Sequence, residues 1–155
     1  MSRNITVAAA QLGPIQMAEP RSVAVERMVQ LMERAHRRGV ELVVFPELAL
    51  TTFFPRHYHS DIAVADHWFE TAMPSNETAP LFAAARKYGI GFHLGYAELT
   101  EDKRRFNTSI LVSPEGDILL KYPRCICRDT RSSTPGARCS IWRSVISRWA
   151  TSASR

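Results

Sequence analysis

Val43-Val44-Phe45-Pro46-Glu47-Leu48-Ala49-Leu50-Thr51-Thr52-Phe53-Phe54-Pro55 (VVFPELALTTFFP) holds the turning point of the chain. The apolar run Val40 to Phe45 (VELVVF) predicts a buried strand. Pro46 ends it, because proline has no N–H to give to a sheet ladder. A carboxylate, Glu47, follows at once, and side chains at the carboxyl ends of sheet strands line the crevices where α/β folds do their chemistry. Held among Phe45, Leu48, Leu50, Phe53 and Phe54, such a glutamate is expected to be partly desolvated, which raises a carboxyl toward the range useful for a general base. Position alone leaves two readings open: a general base, or a carboxylate that caps or bridges the loop.

Upstream, Ile5 to Gln11 is a short apolar run closed by Gly13-Pro14 and predicts a first buried strand. Pro20-Arg21-Ser22 opens a helix whose apolar stripe is Ala24, Met28, Leu31, Met32 and Ala35. His36-Arg37-Arg38-Gly39 supplies cations and a glycine stop. Downstream comes a long segment with a short helix expected near Ile62 to Thr71, and segments of that length inside a compact domain are usually functional or disordered. Glu77 to Lys87 predicts a second helix, and Ile90 to Leu99, Phe106 to Val112 and Asp117 to Tyr122 predict three more strands. Ser113-Pro114-Glu115-Gly116 is a turn between the last two. The order strand, helix, strand, helix, strand, strand, strand is that of a layered α/β domain.

Hydrophobic residues make up 45% of the chain and charged ones 23%, the balance of a folded domain rather than a disordered one. The opening MSRNITVAAAQLGP carries one Arg and an apolar run too short for a secretory signal, so the expectation is a cytoplasmic protein. The net charge of +5 raises nucleic-acid binding as a class. Its distribution argues against that class. Pro123 to Arg155 holds seven Arg and one Asp, whereas the first 122 residues hold 13 basic and 14 acidic residues and are close to neutral. The tail has no lysine and no aromatic platform of the kind that stacks bases. It also carries Cys125, Cys127, Cys139, Trp142 and Trp149, and shows no hydrophobic period. The organisation expected is a domain over residues 1–122 and a tail over 123–155.

FPELALTTFFP resembles the first catalytic block of the nitrilase (carbon-nitrogen hydrolase) superfamily, and within it the N-carbamoyl-D-amino acid hydrolase branch. AQLGPI after the first strand, GIGFHLGYAEL, and RRFNTSILVSPEGDILLKY are similar to the same family in the same order, so the resemblance runs over Ile5 to Tyr122. It implies the N-terminal part of a four-layer α-β-β-α sandwich, incomplete in this chain. It also implies a Glu-Lys-Cys triad that hydrolyses the carbamoyl C–N bond of N-carbamoyl-D-amino acids to D-amino acid, carbon dioxide and ammonia. Glu47 matches the family glutamate. The family lysine is the second in a block of the form Lys-Tyr-Arg-Lys-Ile-His-Leu-Pro. This chain has Lys121-Tyr122-Pro123-Arg124, so Lys121 matches the first lysine and Arg124 stands in the place of the catalytic one. The nucleophile is expected beyond this chain, and the polypeptide as written is expected to be inactive.

Cys125, Cys127 and Cys139 are followed by nothing like the family's cysteine block, and a C-x-C pair with one distant cysteine lacks standard zinc spacing. No metal or organic cofactor is implied. The expected partner is a small-molecule N-carbamoyl amino acid, with no nucleic acid and no membrane, and the family forms homo-oligomers. His57 and His59 flank the aromatic loop as candidates for shaping a substrate entrance, while His67 and His93 read as structural. Asn107-Thr108-Ser109 and Asn76-Glu77-Thr78 match the glycosylation pattern, which carries no weight without a secretory signal. The competing functions are another amidase or nitrilase branch with the same triad, or a non-catalytic fragment.

The tail has an explanation in the genetic code. When the last base of each codon is read with the first two of the next, Cys125 to Arg131 can be encoded so that the shifted frame spells His-Leu-Pro-Gly-His-Lys. Cys139 to Ser147 can likewise spell Gln-His-Leu-Glu-Lys-Arg-Tyr-Phe, and Trp149-Ala150 forces Gly because tryptophan has one codon. These strings resemble what the family carries after its lysine block. The expectation is a frameshift between Tyr122 and Cys125, set against a genuinely divergent tail.

Overall fold

A computed structural model describes residues 4–57 and 62–125. Five strands form one mixed sheet: β1 (Val7–Ala9), β2 (Leu42–Val44), β3 (Gly91–Leu99), β4 (Arg105–Val112) and β5 (Ile118–Cys125). They lie side by side in sequence order, with β1, β2 and β3 parallel and β3, β4 and β5 antiparallel. Helix α1 (Arg21–His36) makes the crossover between β1 and β2, and α2 (Ala79–Tyr88) returns the chain to β3. Gly89 closes α2 in the left-handed conformation at φ 64°, which a residue without Cβ adopts at no steric cost.

Four residues of the stripe read from sequence, Ala24, Met28, Met32 and Ala35, are buried on α1 together with Val25, while Leu31 is only partly buried. Leu81, Phe82, Ala84 and Ala85 do the same for α2. Both helices pack on one face of the sheet, against Phe92, Leu94 and Tyr96 of β3 and Ile110 and Val112 of β4. Side chains of a strand alternate between faces, so His93, Gly95 and Ala97 of β3 and Asn107 and Ser109 of β4 lie on the other. A second, smaller core forms where Ala97 and Leu99 meet Leu48, Phe54, Ala65, Trp68 and Phe69. The Phe54 and Trp68 rings stack with centroids 5.3 Å apart. The segment between β2 and α2 thereby lies over the far end of β3, with short 3-10 helices at Phe54–Arg56 and Ile62–Trp68.

The element order matches the sequence reading, while several ends differ. The runs Ile5 to Gln11 and Val40 to Phe45 yield regular strands of only three residues each, flanked by single backbone bonds such as Ala10 N to Val44 O and Phe45 N to His93 O. β5 does not stop at Tyr122. Its pairing continues through Thr108↔Pro123, Asn107↔Arg124 and Phe106↔Cys125. Pro123 is tolerated there because β5 is the last strand of the sheet, and its missing N–H need not meet a neighbour. Cys127, Cys139 and His59 lie outside the described residues. Among the described residues no helix is long and apolar enough to cross a membrane.

Candidate active site

After β2 the ladder holds for one more bond, from Phe45 N to His93 O at 3.0 Å, and resumes with Ala49 N donating to Gly95 O at 2.9 Å. Between these anchors Pro46, Glu47 and Leu48 leave the pleat. Leu48 takes a left-handed backbone at φ 50°, uncommon for any residue but glycine. Gly95 lies directly beneath. A Cβ there would sit 3.1 Å from Glu47 Cα and 3.3 Å from Pro46 O, so this glycine lets the Pro46-Glu47 backbone pass close over β3. Strained backbone of this kind concentrates at functional positions.

Glu47 emerges on the sheet face opposite the helices. One of its oxygens, Oε1, accepts from Asn107 Nδ2 and from Arg124 Nη2, the latter at 2.7 Å. Asn107 and Arg124 are register partners on β4 and β5, so sheet pairing alone sets them side by side on one face. Lys121 is three residues before Arg124 in an evenly paired stretch, and therefore points to the other face. There it meets Glu98 Oε1, while Thr108 Oγ1 donates to Glu98 Oε2 at 2.7 Å. Of the two positions that match lysines in the family block, only 124 can reach Glu47.

The enclosure expected around Glu47 is absent from the described residues, where its side chain is 51% exposed. The cause is local. Phe45, Leu48, Leu50 and Phe54 are buried in the two cores, so the apolar neighbours that seemed set to enclose the carboxylate turn away from it. Its ion pair with Arg124 is correspondingly solvent-screened and contributes little to stability. A cavity of about 150 Å³ lies to one side, lined by Leu50, Thr51, Thr52, Arg21, Trp68 and Glu77 among others, and does not reach Glu47.

Among the described residues, His57, His67 and His93 fall outside this group. His57 Nε2 accepts from Arg56 Nε at 3.1 Å, and His67 Nδ1 lies 2.9 Å from Val64 O with its ring against Trp68. Burial holds the His93 imidazole below its ordinary range. Sequence reasoning missed Gly95 and Asn107. Asn107 was legible as a polar residue amid a β-pattern, but only register with β5 reveals what it faces.

A mixed sheet backed by two helices, with a carboxylate and a cation meeting beyond a strand end, is the architecture of an α/β protein that works at the rim of its sheet. The family model for carbon-nitrogen hydrolases matches residues 6–138, and the chain belongs to that family. The cyanide hydratase of Penicillium rubens is 28% identical over 102 residues, 62% of this chain and 28% of that protein. Among solved structures, Nit3 of Saccharomyces cerevisiae, described as a member of branch 10 of the nitrilase superfamily, matches with a TM-score of 0.61 at 24% identity, over 77% of this chain and 44% of that one. An amidase from Nesterenkonia sp. AN1 matches with a TM-score of 0.59 at 20% identity, over 78% of this chain and 44% of that one. The carbon-nitrogen hydrolase of Helicobacter pylori gives a TM-score of 0.61 at 19% identity, over 77% and 39%. These structures share the fold, and the chain spans less than half the length of each relative.

Proposed function

We propose that this chain supplies the glutamate of a cysteine-dependent carbon-nitrogen hydrolase acting on N-carbamoyl-D-amino acids. The observation that carries the reading is the meeting of Glu47, just past the end of β2, with residue 124, the position that the family block gives to its catalytic lysine. Glu47 takes the proton of the cysteine thiol as sulfur attacks the carbamoyl carbon. The lysine holds the developing oxyanion. Glu47 then returns the proton to the departing nitrogen as the C–N bond breaks, and finally takes one from the water that cleaves the acyl-enzyme. The cysteine and lysine come from the family resemblance. A solved form of the Nesterenkonia amidase is described with acrylamide added at its active-site cysteine, in keeping with that chemistry.

The carbamoyl branch rests on the run Phe45 to Pro55. A second reading, an amidase or nitrilase of another branch, is favoured by the cyanide hydratase and amidase among the relatives. With Arg124 where a lysine is required, the chain as written turns nothing over, and the reading frame shifts between Tyr122 and Cys125. Sequencing the gene from the Tyr122 codon onward and assaying the frame-restored enzyme tests all of this. The expected result is the family's lysine and cysteine blocks in the restored frame and release of ammonia from N-carbamoyl-D-amino acids. Preference for a simple amide or nitrile selects the second reading, and no hydrolysis of any of them rejects both.

A further inference from the structure

We propose that Asn107 is the positioning residue for Glu47, and that it makes Oε2 the oxygen that accepts the proton. The inference rests on the reading of Glu47 as a base. Two donors reach the carboxylate, both on Oε1, and among the described residues no donor reaches Oε2. The two differ in kind. Arg124 hangs from the last strand of the sheet on a long side chain that is 66% exposed, and supplies charge with little control of geometry. Asn107 sits on β4, paired on both sides, to Ala97 of β3 and to Arg124 of β5. Its short side chain has few rotamers, and the ladder fixes its Cα.

The chemistry favours an amide here. A carboxylate that accepts a proton on Oε2 still offers Oε1 as a carbonyl oxygen, so the Nδ2 bond survives the whole proton cycle. The carboxyl plane is then the same before and after transfer, as a group used twice in one turnover requires. An aspartate at 107 would lack the donor and repel Glu47. The match of Asn107-Thr108-Ser109 to a glycosylation pattern is incidental, since Thr108 is 0% exposed and bonded to Glu98.

The test compares the side-chain amide of Asn107 by nitrogen-15 NMR in the full chain, in Glu47→Gln and in Arg124→Leu, all at one neutral pH. One Nδ2 proton is expected downfield in the parent, moving back toward the position of a solvated amide in Glu47→Gln and staying in place in Arg124→Leu. An amide that stays in place in Glu47→Gln overturns the proposal. So does its return to the solvated position in Arg124→Leu, which would make the arginine the residue that holds Glu47. The readout is independent of turnover: a downfield Asn107 amide beside no C–N hydrolysis by the frame-restored enzyme upholds the contact and rejects the role of Glu47 as base.

Discussion

Glu47 and Glu70 are two carboxylates, each beside an arginine, in opposite circumstances. Glu47 is 51% exposed, stands where the backbone leaves the sheet, and offers one oxygen to two donors. Glu70 is 4% exposed, and its backbone is tied into the sheet by Glu70 N to Ala97 O at 2.8 Å and Leu99 N to Glu70 O at 2.9 Å. Arg21, at the start of α1, pairs with Glu70 and with Glu77 and donates to His67 O at 3.2 Å. It thus joins the first helix, the segment that follows Glu47 and the approach to α2. Burial pushes the Glu70 carboxyl above its ordinary range, and Arg21 opposes that shift. A carboxylate that is enclosed and pinned makes the fold depend on the cation beside it. A charge that is exposed and held by one oxygen is free to meet something else.

The sharpest way to break the comparison is to remove each cluster in turn. Arg21→Ala leaves Glu70 buried without its cation and is expected to cost about 3 kcal/mol in urea unfolding, as for other buried pairs deprived of one partner. Glu47→Ala is expected to stay within about 0.5 kcal/mol of the parent, since only a screened surface pair and one exposed hydrogen bond are lost. Equal losses would erase the distinction. Gly95→Ala brings a Cβ to 3.1 Å from Glu47 Cα, so the Pro46-Glu47 backbone above it must shift by a few tenths of an ångström. The expected cost is about 1–2 kcal/mol, from overpacking, with displaced resonances at Pro46 to Ala49. An unchanged spectrum would mean that the close approach is not real.

The smallest effect is one of pH. Glu70 has a folded-state value above its ordinary 4.5, so the protonated form is favoured by folding. Its contribution to stability is therefore fully present below 4.5 and lost as pH rises through the higher folded value. The stability of Glu70→Gln relative to the parent should accordingly rise over that window and level off above it. A flat or falling difference would show that Arg21 outweighs burial.

Much of this was legible in the sequence. The period of α1, the glycine stop after it and the Pro46 stop are local signals, and each marked an element. The family blocks marked Glu47 and the departure at Arg124. Strand ends were less legible, because they depend on partners elsewhere in the chain: β1 and β2 are shorter than their apolar runs, and β5 is longer than its own. The exposure of Glu47 was misread for a physical reason. Apolar neighbours in sequence enclose a side chain only if the backbone keeps them on its side, and the left-handed Leu48 sends them elsewhere. Asn107 lies sixty residues from Glu47, and register alone unites them.

The central claim is that Glu47 is the proton acceptor of a cysteine hydrolase. In the frame-restored enzyme, Glu47→Gln keeps the shape of the side chain and one acceptor oxygen while removing its basicity. Turnover of an N-carbamoyl-D-amino acid is expected to fall by about 10²- to 10⁴-fold with the unfolding midpoint unchanged. Turnover equal to that of the parent enzyme would contradict the account.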